Sequence, residues 1–281
     1  MDLRFHPAQA ALALGDVDKL AAVLTIDPTL AASRSSCGHP TLLQSLVLSS
    51  PPVPTLEPLI NLLAAQGAEL TGPLIAASGI DNLPAIAKLL DLGARIEGNG
   101  LWSPLEEALY WCQKSAASFL MSRGAPITNL RIASGLGDLN QIALCFDERG
   151  ELTPAAGEVA WPWFENPIPD PPRRIPAQIL ANALVYAAAW DRPEAAKLLI
   201  DRGAQVNLIP AGFDFAGTSL HYAALQGRRQ MVDLLLTLGA DPSLTDTKIG
   251  KLPEDWASHN GHASLAIHLQ TVRLNLHKPP H

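Results

Sequence analysis

Apolar residues along the chain fall in short blocks of two kinds, one alanine-rich and one leucine-rich, and a Gly-Ala pair closes the second kind. The stretch 218–242 shows the whole pattern. Leu220, Ala223 and Ala224 lie before a break at Gly227. Met231, Val232, Leu234 and Leu235 follow it, and Gly239-Ala240 ends the block. Spacings of three and four within a block predict a helix with one apolar face. The leucine-rich block and its stop recur: Ala195–Arg202 before Gly203-Ala204, Ala117–Arg123 before Gly124-Ala125, Ile86–Leu92 before Gly93-Ala94, and Leu59–Gln66 before Gly67-Ala68. A degenerate copy ends at Gly150. Glycine after a helix supplies the left-handed stop. The pairs Ala76-Ala77, Ala187-Ala188 and Ala223-Ala224 let neighbouring helices approach, and the leucine pairs fill the layer between units. A unit of about 30 residues buries too little surface alone, so the units must stack.

This pattern resembles the ankyrin repeat. In 218–250 the matching residues are Thr218, Leu220, His221, Ala223, Ala224, Gly227, Leu234, Leu235, Gly239, Ala240 and Asp241, with Ser219 in place of the proline. The copy at 103–128 keeps Ser103-Pro104-Leu105 but has Glu106 at the histidine position. The resemblance implies an all-α ankyrin-repeat solenoid, an elongated curved stack of about seven helix-turn-helix units with short hairpin fingers. Two of the units are caps. It also implies that His221 hydrogen-bonds between repeats, and a stand-alone, bacterial-type, non-catalytic protein. The single array divides into an N-terminal cap at 5–36, repeats at 37–150, a Pro/aromatic insertion at 151–177, repeats at 178–250, and a C-terminal cap and tail at 251–281. The stops at 67, 93, 124, 150, 203 and 239 are unevenly spaced. Short intervals imply trimmed fingers, and the long one between 150 and 203 holds the insertion.

The insertion carries seven prolines, at 154, 162, 167, 169, 171, 172 and 176, with Trp161, Trp163, Phe164 and Arg173-Arg174. Proline this dense forbids a long helix. Its rings either pin the loop to the repeats or wall a binding site.

Composition narrows the chemistry. Twenty Lys+Arg against 27 Asp+Glu give a net charge of −7, with no basic face for nucleic acid. No apolar run is long enough for a membrane span, and the N-terminus is not of signal-peptide type. Cys37, Cys112 and Cys145 are odd in number and not in CxxC spacing, which predicts reduced thiols in a cytoplasmic protein. His259 and His262 lack an accompanying acid, so no metal site is expected. Glu106 and Glu107 are neighbours on different helix faces and form no acid/base pair. Asp81 and Asp138 fall in inter-helix turns, where an acid caps the helix that follows. No catalytic residue and no cofactor site are expected.

What remains is a surface. If the repeat register holds, the two residues before each inter-helix turn face the groove: Gly79-Ile80, Tyr110-Trp111, Gly135-Leu136, Ala189-Trp190, Leu225-Gln226 and His259-Asn260. The expected partner-binding residues are Trp102, Tyr110, Trp111, Leu136, Trp161, Trp163, Trp190, Phe213 and Phe215, rings being favoured anchors at interfaces. The partner is an unidentified protein bound by a monomer through the concave groove. The alternative is a small-molecule or peptide pocket closed by 151–177.

Overall fold

The computed structural model describes residues 3–34, 40–100, 102–159, 174–213 and 216–276. It divides into two compact units, Met1–Pro126 and Ile127–His281. Unit 1 holds α1 (His6–Leu14), α2 (Val17–Ile26), α3 (Leu42–Ser49), α4 (Val53–Ala65), α5 (Thr71–Gly79), α6 (Leu83–Asp91), α7 (Pro104–Tyr110) and α8 (Lys114–Ser122). Unit 2 holds α9 (Leu130–Leu136), α10 (Leu139–Leu144), α11 (Pro176–Ala189), α12 (Pro193–Asp201), α13 (Ser219–Leu225), α14 (Arg229–Thr237), α15 (Pro253–His259) and α16 (Ala263–Leu276). These sixteen helices form eight pairs, one more than the seven expected. The six Gly stops each close a full unit, and two caps are added to them. Among the described residues there is no strand, only an isolated antiparallel bridge between Phe146 and Leu152.

Within unit 1 the first helices pack in series, α1 on α3, α3 on α5 and α5 on α7, and the second helices likewise, α2 on α4, α4 on α6 and α6 on α8. In unit 2 the first helices follow the order α9, α11, α13, α15. Ala77, Ala187, Ala188, Ala223 and Ala224 are fully enclosed in these first-helix layers, while Ile60, Leu63, Leu89, Leu199 and Leu235 fill the layer beside them. Gly67, Gly93, Gly124, Gly203 and Gly239 all take the left-handed conformation that the stop requires.

The turn between the two helices of a pair needs the same left-handed residue. Glycine supplies it at Gly15, Gly137, Gly227 and Gly261. Ser50 (φ 46°), Asp81 (60°), Cys112 (56°) and Asp191 (56°) supply it elsewhere. Among the described residues, every non-glycine with positive φ therefore sits at this one repeat position.

His221 does what the resemblance implies. Its Nδ1 accepts the Thr218 N–H at 3.1 Å, so Nε2 carries the proton and donates it to the Lys251 carbonyl at 3.1 Å, in the loop before the next pair. Burial lowers its pKa to about 4, against the raising effect of that carbonyl and of Asp246 and Asp255.

The insertion is only partly described. Leu152 pairs with Phe146, and Ala156 is buried in the core of unit 2. Pro176 and Ala177, read as loop, form the first turn of α11, where a proline needs no N–H partner.

Candidate functional site

The inter-helix turns are built on a repeating hydrogen bond. Gln113 Nε2 donates to the Gly79 carbonyl at 2.9 Å in unit 1. In unit 2, Arg192 Nε donates to Gly135 O (3.1 Å), Arg228 Nε to Ala189 O (3.1 Å) and Asn260 Nδ2 to Leu225 O (2.7 Å). Each acceptor is an orphan carbonyl at the C-terminal end of the preceding first helix. A Cβ on Gly137 would fall 2.9 Å from Arg192 Cδ, and one on Gly227 would fall 2.6 Å from His262 Cε1. Glycine there admits the side chain of the next pair as well as the turn.

The backbone register defined by these turns makes Ser49, Ile80 and Trp111 equivalent, with Leu48, Gly79 and Tyr110 one residue earlier. Leu48, Ile80 and Trp111 are 46%, 39% and 41% exposed, an apolar contribution from each of three successive pairs. Tyr110 is half-buried and meets Trp111 edge to face at 84°.

Trp111 is fixed from behind. The Glu107 carboxylate, buried one helical turn earlier, accepts the Trp111 indole N–H through Oε1 at 3.0 Å. Its Oε2 accepts the Trp102 indole N–H at 2.6 Å. A Cβ on Gly79 would lie 2.7 Å from Glu107 Oε1 and 3.1 Å from Trp111 Cδ1. Gly79 therefore lets this group seat against α5. Trp102, expected on the binding surface, is instead turned inward and buried, because its N–H satisfies the carboxylate.

The acids in the turns differ from expectation in one case. Asp138 caps α10, accepting from Asn140 N and Gln141 N. Asp81 does not cap α6; Asn82 does, accepting from Ala85 N. Asp81 accepts from Ala116 N at 2.6 Å and so caps α8 in the next pair.

In unit 2, Leu136 and Trp190 are half-buried at the ends of α9 and α11. Phe213 is half-buried too, and belongs to a row that the sequence reading missed. Its ring lies 6.0 Å from Tyr186 and 5.3 Å from Tyr222, and Tyr222 lies 5.4 Å from Trp256. Tyr186, Tyr222 and Trp256 occupy one repeat position, four residues before Trp190, Gln226 and Asn260 at the inter-helix turns. That spacing could have revealed them. Asp246 anchors the end of the row, accepting the Trp256 indole N–H at 3.0 Å and the backbone N–H groups of Lys248, Ile249 and Lys251. Burial works against its charge, but these bonds prevail and hold its carboxyl below the usual range. Trp161, Trp163 and Phe215 lie outside the described residues.

Among the described residues no group of His, Cys, Asp and Glu has the arrangement to hold a metal ion, and no helix is long and apolar enough to cross a membrane. Among the described residues Cys112 and Cys145 form no disulfide, and burial pushes Cys145 up to about 11. Cys37 lies outside the described residues.

Residues 179–246 match the family model for ankyrin repeats, in 3 copies. Human diacylglycerol kinase iota is 36% identical over 90 residues, 32% of this chain and 8% of that protein. Mouse palmitoyltransferase ZDHHC13 is 41% identical over 101 residues, 36% of this chain and 14% of that protein. The chain thus spans only a small part of these curated relatives. The crystal structure of the human ASB11 ankyrin repeat domain aligns over 98% of this chain and 99% of that chain, at 18% identity and a TM-score of 0.43.

Proposed function

We propose, from the ankyrin repeats matched at residues 179–246, that the chain works as a non-catalytic, cytoplasmic protein-binding module. Ankyrin repeats are in general protein–protein interaction modules. The binding face in this reading is formed by the turn ends of the first helices, the groove of the repeat array, and the chain acts as a monomer. One observation carries the proposal. Leu48, Ile80 and Trp111 are exposed at the ends of α3, α5 and α7, on a scaffold whose turns are tied by hydrogen bonds. The ring of Trp111 is further oriented by Glu107. A large ring held in one orientation loses little entropy when a partner covers it.

The test is capture with the whole chain immobilised, beside Trp111→Ala, Ile80→Asp and, as control, Lys197→Ala on the exposed surface of α12. Proteins retained by the parent and the control but lost by both groove variants support the reading. The same set captured by all four proteins would overturn it.

A further inference from the structure

One position in the inter-helix turns, the residue after the left-handed one, is Asn82 and Gln113 in unit 1 and Arg192 and Arg228 in unit 2. Its structural task is one hydrogen bond to a carbonyl of the preceding first helix. A side-chain amide does this at Asn82, to Val47 O at 3.0 Å, and at Gln113, to Gly79 O at 2.9 Å. Arg192 and Arg228 do it with Nε alone, at 3.1 Å each. Among the described residues neither guanidinium makes any other hydrogen bond or an ion pair. Both side chains are half-buried. With Nε engaged, the edge left open is the end-on fork of Nη1 and Nη2, whose two parallel N–H groups match the two oxygens of a carboxylate. The acids nearby do not fill it. Asp138, at the same position one pair earlier, is occupied in capping α10. Asp191 and Glu194, on either side of Arg192 in the sequence, are not ion-paired with either arginine.

We propose that these two forks receive two carboxylates from an acidic segment of the protein partner. The inference rests on the protein-binding reading above and names the chemistry recognised at the turn ends of unit 2. Spacing selects the occupant. The two Nε atoms are tied to equivalent carbonyls of α9 and α11, which pack side by side, so they stand about 8–10 Å apart, as packed helices do. That is too far for both to grip one phosphate group. Two separate carboxylates fit, since residues three apart in an extended segment lie about 10 Å from each other. A nucleic acid needs a continuous basic face, and here Asp191 and Glu194 interrupt it on a chain of net charge −7. Because each guanidinium is already held at Nε, little side-chain freedom is lost when a carboxylate arrives.

The experiment titrates acetyl-Glu-Gly-Gly-Glu-amide into the full ¹⁵N-labelled chain and follows the Nε–H resonances of Arg192 and Arg228, assigned with Arg192→Gln and Arg228→Gln. Parallel titrations use acetyl-Gln-Gly-Gly-Gln-amide and inorganic phosphate. The expected result is a saturable shift of both resonances with the glutamate peptide, and binding at least about fivefold weaker with the glutamine peptide and with phosphate. The double variant Arg192→Gln, Arg228→Gln should abolish saturation with the circular dichroism spectrum unchanged, since an amide keeps the turn bond at Gln113. Equal binding of the glutamine peptide or of phosphate, or arginine resonances that the glutamate peptide does not move, overturns the inference. If those resonances stay unmoved yet Trp111→Ala and Ile80→Asp still abolish partner capture, the acidic-segment inference fails and the protein-binding reading stands. If the glutamate peptide binds as expected but capture ignores the double arginine variant and both groove variants, the forks are a carboxylate site and it is the protein-binding reading that fails.

Discussion

The Asp81 carboxylate accepts the Ala116 N–H at 2.6 Å, so an acid in one inter-helix turn caps the second helix of the next pair. Gln113, just before that helix, returns a bond to the Gly79 carbonyl beside Asp81. Together they fasten two pairs at a point where neither side chain is in the apolar core. Replacing Asp81 by alanine removes the cap and leaves a left-handed residue with a Cβ. Asp81→Ala should lower stability by about 1–2 kcal/mol. Asp81→Gly, which also loses the cap but suits the backbone, should cost less. Urea unfolding of both variants measures the difference; equal midpoints would show that the backbone conformation matters little here.

Cys112 occupies the same turn position with φ 56°. Glycine adopts that conformation freely, at some entropic cost in the unfolded chain. Cys112→Gly should therefore stabilise unit 1 by about 0.5–1 kcal/mol, seen as a higher urea midpoint with the slope unchanged. A lower midpoint would mean that contacts of the thiol outweigh the backbone gain.

Much of the fold was legible because the pattern of apolar blocks and Gly-Ala stops is set by packing and backbone geometry that every unit shares. The inter-helix turn was harder to read. Four of its copies use Ser50, Asp81, Cys112 and Asp191 where glycine would announce it, and their shared position emerges only from the backbone bonds. The site was legible as a register and not as an environment. Spacing placed Tyr110 and Trp111 at the end of α7, but burial of Trp102 depends on the partner for its N–H. That partner is Glu107, whose contacts with the two indoles lie four and five residues away and not at the neighbouring Glu106. Ser50 and Pro51 hide the repeat pattern around Leu48.

Ser78 and Ser134 hold equivalent places in α5 and α9, yet only one is satisfied. Ser78 Oγ donates to the Leu74 carbonyl at 2.8 Å, whereas the buried Ser134 Oγ has no hydrogen-bond partner among the described residues. Alanine fills this position at Ala188 and Ala224. Ser134→Ala should leave stability unchanged or raise it by up to about 1 kcal/mol, by removing an unpaired buried hydroxyl. A drop of about 1 kcal/mol or more in chemical denaturation would show that this hydroxyl is bonded.

His221 makes folding depend on pH. Its pKa is about 4 in the folded protein against 6.5 for the free side chain, because burial disfavours the charged ring. Between these values the unfolded chain binds the proton and the folded chain does not, so stability rises with pH across this window. Acidification from pH 7 to 5 should cost about 2 kcal/mol through this group. Asp246 acts in the same direction at lower pH. Its depressed pKa adds stability above the unfolded carboxyl range that is lost as pH falls. Urea midpoints at pH 7 and pH 5 should differ less in His221→Gln than in the parent chain. An equal pH dependence in both would remove His221 from the account.

Binding and stability should separate at Trp111, Trp190 and Leu235. Leu235 is fully enclosed in the second-helix layer, so Leu235→Ala should cost about 2–5 kcal/mol of stability, from lost transfer energy and the cavity left behind. Trp111 is 41% exposed, so truncating its ring removes little core, whereas Trp190 is half-buried and its truncation costs more. Trp111→Ala does take one donor from the buried Glu107, which keeps the Trp102 N–H. About 1 kcal/mol of stability should go with that bond. If the turn ends are the binding face, each tryptophan variant should weaken partner capture by about 2 kcal/mol or more, as expected for a central aromatic anchor. Leu235→Ala, assayed where it remains folded, should hold the partner as the parent does. Capture lost in Leu235→Ala but kept in both tryptophan variants would move the binding surface off the turn ends of α7 and α11, toward the finger that carries Phe213.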